Sequence, residues 1–192
     1  MNYSQKKLKS GFTLIELLVV ISVIGLLSGI VLQSLKSARI KSYNATRLSD
    51  IDQINKALEL YLTKNTGKGL PVSDAGAPSS WKCIGLTTGT CWAGVYPAPA
   101  ATAITPETNI NLALEGNISK MPKDPFIASG SGDYYIYTAG TWVPAAVNWG
   151  TQPTGHYLYW YAHDVGSKPC GRGVARLTPS GIYRPCILYL GI

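Results

Sequence analysis

Residues 12–35 read FTLIELLVVISVIGLLSGIVLQSL, and this stretch decides what kind of fold the chain adopts. A helix of this length spans about 36 Å, more than the roughly 30 Å of a bilayer core, so the stretch predicts a transmembrane helix. Its single charged residue is Glu16. A carboxylate near a bilayer centre costs about 2.5–3.5 kcal/mol and normally has a partner. The stretch contains no basic residue, so the partner must come from elsewhere, which indicates assembly.

The segment before this helix is basic. Residues 1–11 read MNYSQKKLKSG and carry Lys6, Lys7 and Lys9. A secretory signal peptide would have an apolar stretch of about 7–15 residues followed by a small-residue cleavage site. Here the apolar stretch is longer and no such site follows it. One interpretation is an ordinary N-terminal membrane anchor whose lysines stay in the cytoplasm.

A second interpretation comes from residues 9–16, KSGFTLIE. This segment resembles the processing site of type IV prepilins and type II secretion pseudopilins. The resemblance implies that a prepilin peptidase cleaves between Gly11 and Phe12 and methylates the new N-terminal Phe12. It also implies that Glu16 is an assembly charge that faces the Phe12 amine of a neighbouring subunit. The alternative for Glu16 is that its carboxylate reaches the membrane interface from near the helix end.

The same resemblance implies partners and a location. Residues 12–35 are expected to form a homo-oligomeric filament, after contact with membrane lipid and with an inner-membrane assembly platform. The protein is expected to be single-pass in the cytoplasmic membrane, with its head outside the cytoplasm, and to reach the cell surface as a filament. Gly25 and Gly29 have the G-x-x-x-G spacing that allows close helix packing in lipid, although such residues are also common in ordinary membrane helices.

The helical pattern continues beyond the membrane segment. Apolar residues recur in steps of three and four along one face, namely at Leu48, Ile51, Ile54, Leu58, Tyr61 and Leu62. Polar residues, including Arg47 and Asp50, are expected to cover the remaining faces. Asn65 and Gly67 supply a stop signal, so one helix of about 50 residues is predicted. The expected organisation is a leader (1–11), an assembly helix (12–35), its amphipathic continuation (36–65) and a globular head (66–192).

The head is predicted to hold a small antiparallel sheet, which gives an α+β fold of the pilin-like lollipop type. The composition of residues 70–108 predicts a long loop region with little regular structure, and a short helix or turn is expected around residues 111–120. Strand patterns follow at residues 134–137, 156–161, 174–177 and 182–190, with a tight turn at 178–181. They predict three or four strands packed on the apolar face of the helix. Pro185 indicates that the last strand is an edge strand or carries a bulge.

The four cysteines are Cys83, Cys91, Cys170 and Cys186. Outside the cytoplasm they are expected to form disulfides, and of the three possible connectivities we favour the local pairs Cys83–Cys91 and Cys170–Cys186. The second pair would join the last hairpin, as a C-terminal disulfide does in many pilins. The spacing does not match a zinc site. Some major pseudopilins bind calcium in the head, and the weaker alternative is that Asp124 and Asp133 do so here.

Neither catalysis nor a cofactor is predicted. His156 and His163 lie seven residues apart on a predicted strand and therefore point to opposite faces, and Asp164 beside them has no nucleophile motif nearby. Residues 129–133, SGSGD, lack the lysine of a phosphate-binding loop and indicate a turn. The net charge of +7 falls to about +4 without the leader lysines, and its even distribution makes nucleic-acid binding unlikely on pattern alone.

The sequence therefore predicts a structural subunit of a type IV pilus or of a type II secretion-like pseudopilus. The alternative is a minor pilin whose head mediates adhesion or DNA binding.

Overall fold

The computed structural model describes residues 11–71, 81–85, 91–93, 102–104, 108–125, 135–142, 149–163, 168–175 and 183–191. Two compact units are present, Met1–Arg39 and Ile40–Ile192. The prediction of an α+β fold, with one long N-terminal helix and an antiparallel sheet, is confirmed. Gly11 is the only described residue of the predicted leader, and the turn predicted at 178–181 lies outside the described residues.

Helix α1 spans Leu14–Lys64 without interruption and is 51 residues long. It ends where the sequence predicted, because Asn65 and Gly67 form a turn and Gly67 has a φ of 88°, which favours glycine. The amide of Asn65 still donates to the carbonyl oxygen of Tyr61 at 2.9 Å. The prediction of one continuous helix of about 50 residues is thus confirmed.

In the N-terminal unit, the apolar side chains of α1 point outward on every side. All large hydrophobic residues between 12 and 35 are exposed, from Phe12 at 89% to Leu35 at 44%. The helix is long and apolar enough to cross a membrane. A helix that is apolar all round is stable only when lipid or other apolar surfaces cover it. The exposed faces of this segment therefore require an apolar environment that the described residues of the chain do not provide.

The second unit is built on a five-stranded antiparallel sheet with the order β1-β4-β5-β7-β6. A separate two-stranded sheet pairs β2 with β3, and a short helix α2 spans Thr108–Glu115. The strands are β1 (Trp81–Cys83), β2 (Cys91–Ala93), β3 (Thr102–Ile104), β4 (Ile136–Trp142), β5 (Gly155–His163), β6 (Val174–Ala175) and β7 (Tyr183–Tyr189). The four strands that the sequence indicated are confirmed as β4 to β7, with shifted ends.

One prediction about the head is wrong. Residues 70–108 were expected to form a long loop region, yet they contain β1, β2 and β3, and β1 pairs with β4 to give the sheet a fifth strand. Each of these strands has three residues, which is too short for an alternating pattern to be visible in the sequence, so pairing with distant residues determines them. The short helix or turn predicted around residues 111–120 is present as α2, which begins and ends earlier, at Thr108–Glu115, and is followed by a turn.

The position of Pro185 also differs from the expectation. Strand β7 lies between β5 and β6, and its register with β5 is continuous from Tyr183 to Tyr189, so it is neither an edge strand nor bulged. The described pairing with β6 covers only Cys186 and Ile187. Pro185 lies directly before the described pairing of β7 with β6. A proline is tolerated there because it lacks only the backbone amide donor.

The apolar face of α1 packs against one face of the sheet, as predicted. Ile51, Ile54 and Leu58 are buried in the same cluster as Leu158 and Trp160 of β5. The tyrosines at alternate positions of β5 form a second buried cluster on the opposite face, together with Trp149 and Ile187. The sheet is therefore covered on both sides, which makes it the rigid part of the second unit.

One predicted disulfide is present between β7 and the segment before β6. Cys170 and Cys186 are bonded, with their Cα atoms 5.5 Å apart. Within the bridged loop Gly173 passes so close to Trp160 that an added Cβ would lie 2.5 Å from the Trp160 ring. Cys83 is also disulfide-bonded. Its pairing with Cys91 stays a prediction, because the side chain of Cys91 lies outside the described part of the chain.

We expect the double substitution Cys170→Ser and Cys186→Ser to destabilise the head. The bridge closes a loop of sequence separation 16, for which the chain-entropy model gives about 3 kcal/mol. For a domain of this size, that loss lowers the melting temperature by roughly 6–12 °C, measured by circular dichroism. Non-reducing peptide mapping of the wild-type chain supplies the control. A peptide that joins Cys91 to Cys170 would contradict the local pairing.

Candidate assembly site

The residues predicted to be cleaved and modified lie outside regular secondary structure, directly before α1. Gly11, Phe12 and Thr13 precede the first helical residue, Leu14. Phe12 is 89% exposed, and a Cβ added at Gly11 would meet nothing within 4 Å. The peptide bond between Gly11 and Phe12 is therefore accessible in this conformation.

Glu16 is bound by its own helix. Its Oε2 atom accepts hydrogen bonds from the backbone amide of Thr13 at 2.8 Å and from the Thr13 hydroxyl at 2.7 Å. The amide of Glu16 donates in return to the Thr13 hydroxyl at 3.3 Å. This reciprocal arrangement is a capping box, in which Thr13 is the N-cap and Glu16 is the third residue of the helix. A carboxylate at this end is also favoured by the helix dipole.

This capping role was missed by the sequence analysis, although the signal is present in residues 13–16, TLIE. The spacing S/T-x-x-E before an apolar run is characteristic of a helix N-terminus. It explains why α1 begins at Leu14 and how a carboxylate is tolerated at the edge of an apolar stretch. Glu16 therefore has donors on its own chain before any partner arrives.

Gly25 and Gly29 lie on an open part of α1. A Cβ added at either glycine would meet nothing within 4 Å. Nearby, the hydroxyl of Ser22 donates to the carbonyl oxygen of Val19 at 2.8 Å, and that of Ser28 donates to Ile24 at 2.7 Å. Because the serine hydroxyls are satisfied within the helix, this part of α1 needs no water. The side chains there are small and their polar groups are already hydrogen-bonded, so this surface is accessible to another apolar helix.

The second unit has a buried polar core that the sequence analysis placed on the solvent side. Arg47 and Asp50 were expected to be exposed, but both are buried, together with Asn44. Arg47 donates through Nε and Nη2 to the two carboxylate oxygens of Asp124, at 2.6 and 2.8 Å. A third guanidinium nitrogen, Nη1, donates to Asn44 at 3.1 Å. Three residues spaced three positions apart along α1, Asn44, Arg47 and Asp50, therefore form a buried polar stripe beside the apolar face.

The stripe connects α1 to three other segments. Asn44 exchanges two hydrogen bonds of 2.9 Å with the backbone of His163 at the end of β5. Asp50 accepts a hydrogen bond of 2.6 Å from the Tyr135 hydroxyl just before β4. Burial raises the pKa of the Asp50 carboxyl, and burial together with the Asp50 carboxylate raises the pKa of Tyr135 far above its usual range. These contacts fix the position of the sheet on the helix.

Asp124 does not match the calcium alternative. Both of its carboxylate oxygens bind Arg47, and its side chain is 8% exposed. A guanidinium at this distance competes with any cation for the same oxygens. Asp133 lies outside the described residues, and within the described residues no group of three or more potential metal ligands occurs.

The two histidines are buried structural residues. The Tyr137 hydroxyl donates to the carbonyl oxygen of Pro71 at 2.8 Å and lies 2.6 Å from His156 Nδ1. The donor in the contact with His156 depends on the tautomer of the imidazole: a phenol that gives its one hydrogen to Pro71 accepts from a protonated Nδ1. Burial lowers the pKa of both His156 and His163, and the nearby Arg47 charge lowers that of His163 further. Asp164 and residues 129–133 lie outside the described residues.

Comparison with known proteins agrees with these observations. A family model for the prokaryotic N-terminal methylation motif matches residues 6–32. The chain is 38% identical over 61 residues to a type II secretion system core protein G of Aeromonas hydrophila, a match that covers 32% of this chain and 43% of that protein. It is 28% identical over 130 residues to a protein of the same name from Escherichia coli K12, covering 68% of this chain and 72% of that protein.

No solved structure matches the chain. The motif model and both relatives nevertheless point in the same direction, and the exposed apolar helix and antiparallel sheet are consistent with a pilin-like α+β fold. The chain carries the prokaryotic N-terminal methylation motif and is similar to core proteins of type II secretion systems.

Proposed function

We propose that this subunit is cleaved between Gly11 and Phe12, methylated at Phe12, and then polymerised through residues 12–35 into a filament. One observation carries the proposal. The apolar segment 12–35 is exposed on all sides, and its single carboxylate, Glu16, lies four residues after Phe12. The motif that matches residues 6–32 supports the roles proposed for Gly11, Phe12 and Glu16. The accessible backbone at Gly11 supports processing by a prepilin peptidase.

Cleavage supplies the charge that the apolar segment lacks. It removes Lys6, Lys7 and Lys9 and leaves a positively charged amine on Phe12. In the free subunit Glu16 is bound by Thr13. In the filament we propose that Glu16 accepts the Phe12 amine of a neighbouring subunit, because a buried charge without a partner costs several kcal/mol. The pairing would fix the register of subunits, and Gly25 and Gly29 would let their helices approach closely.

The location follows from the same proposal. Residues 1–11 act as the leader and 12–35 as the membrane and assembly segment, while residues 36–65 continue the helix and 66–192 form a head outside the cytoplasm. The disulfide between Cys170 and Cys186 supports a location of the head outside the cytoplasm, because disulfides persist in oxidising compartments. Before assembly the subunit would reside in the cytoplasmic membrane and contact lipid and the assembly platform.

Between the two filament types, we favour the pseudopilus of a type II secretion-like system. The two relatives are named as core proteins of type II secretion systems, and the match to the second covers 68% of this chain, including much of the head. The alternative of a minor pilin that mediates adhesion or binds DNA stays a prediction from the sequence.

The test of processing is co-expression of the full chain with a prepilin peptidase, followed by intact-mass and N-terminal analysis. We expect a product that begins at N-methylated Phe12. Gly11→Val should block its formation, because a branched side chain at the open glycine alters the cleavage position. Lys6→Gln is the matched leader control and should be processed normally. A wild-type product that still begins at Met1 under these conditions would contradict the proposal.

A further inference from the structure

A ring of basic residues follows the apolar part of α1. Lys36, Arg39 and Lys41 lie within six positions of one helix, and all three are exposed. Residues 17–49 contain no Asp or Glu. In the described part of the chain no carboxylate is in ion-pair contact with these three residues, which we call the basic collar.

The helix distributes the collar around its circumference. At 100° per residue, Arg39 and Lys41 lie at about 300° and about 140° from Lys36. The three charges therefore point in different directions, and a single partner surface on one side of the helix could contact at most two of them. A layer that surrounds the helix could contact all three.

The axial dimensions fit the headgroup layer of a bilayer. From Lys36 to Lys41 the helix rises about 7.5 Å, and the polar layer on each side of a bilayer is about 5–8 Å thick. The collar begins directly after Leu35, where the apolar stretch ends. If residues 12–35 fill the hydrocarbon core, the three cations lie at the depth of the phosphates.

We propose that the basic collar binds the phosphates of anionic phospholipid headgroups and retains the inserted subunit in the membrane until it is assembled. The inference rests on the proposed membrane insertion of residues 12–35. Each basic residue near an anionic surface contributes about 1 kcal/mol, which corresponds to about a fivefold preference. Extraction into a filament must break these contacts, so the anionic lipid content of the membrane would regulate how readily subunits leave it.

The test uses the full chain in detergent micelles that contain equal amounts of phosphatidylglycerol and phosphatidylcholine. Native mass spectrometry measures how many lipids of each kind stay bound. We expect the wild type to retain phosphatidylglycerol preferentially, and the preference to decrease as salt is raised. The triple variant Lys36→Gln, Arg39→Gln and Lys41→Gln should lose it, while each single variant lowers it about fivefold, whichever residue is changed.

The matched control removes three exposed lysines of the second unit, as Lys56→Gln, Lys68→Gln and Lys120→Gln, and should keep the lipid preference. Equal retention of both lipids by the wild type would overturn the inference but not the membrane insertion. Retention of neither lipid would instead contradict the insertion itself. If only one of the three single variants lost the preference, the collar would instead contact a protein on one face of the helix. That result would overturn the lipid proposal.

Discussion

Replacing Glu16 by glutamine is expected to abolish filament assembly while membrane insertion and leader cleavage continue. Glutamine can serve as the third residue of a capping box, so the hydrogen bonds with Thr13 remain possible. The negative charge is lost, and the Phe12 amine of a neighbour has no counter-charge in the filament core. An unpaired buried charge costs about 3–5 kcal/mol, which weakens each subunit contact at least 100-fold.

The measurement is the amount of sheared filament, with membrane-bound mature subunit as the reference. Thr13→Ala is the matched control, because it removes the cap but keeps the carboxylate. We expect Thr13→Ala to assemble at a reduced level, since the loss of an N-cap costs only about 1 kcal/mol. Wild-type amounts of filament from Glu16→Gln would show that helix capping by residue 16 is sufficient for assembly. This result would contradict the charge-pairing proposal.

The substitution Arg47→Met is expected to destabilise the head by about 3–5 kcal/mol. It leaves the Asp124 carboxylate buried without the guanidinium that now binds both of its oxygens at 2.6 and 2.8 Å. For a domain of this size the melting temperature should fall by roughly 10 °C or more, measured by circular dichroism on the mature chain in detergent.

Arg172→Met is the matched control, because Arg172 makes a contact of the same length, 2.6 Å, with Asp52 on the surface. Exposed ion pairs contribute at most about 1 kcal/mol, so this variant should melt within a few degrees of the wild type. Combining Arg47→Met with Asp124→Leu should recover much of the lost stability, because the apolar pair leaves no buried charge. Equal melting of Arg47→Met and the wild type would refute the structural role of this ion pair.

The long helix could be predicted from sequence because its signals are local. Residues 12–35 form one uninterrupted apolar run, and Asn65 with Gly67 marks the end of the helix. The similarity to type II secretion core proteins agrees with the prediction that the chain is not an enzyme. In the motif at residues 9–16, an acidic residue occupies a fixed position inside an apolar stretch, and few other proteins share this combination.

The buried polar stripe could not be predicted in the same way. Arg47 and Asp50 occupy polar positions of a helical pattern that is normally solvated, and only their distant partners, Asp124 and Tyr135, account for their burial. Strand β1 depends likewise on its pairing with β4. In both cases the contacts join residues more than 50 positions apart, and one sequence carries no direct signal of them.

The position of β7 has a consequence for biogenesis. The strand pairs with β5 along its whole length and with β6 on its other side, although it follows both in the chain. The sheet cannot close until residues 183–189 have been synthesised. If residues 12–35 insert into the membrane and the head lies outside the cytoplasm, as proposed above, helix α1 is available for insertion long before that moment. The head should then cross the membrane unfolded and fold only after its last strand has been translocated.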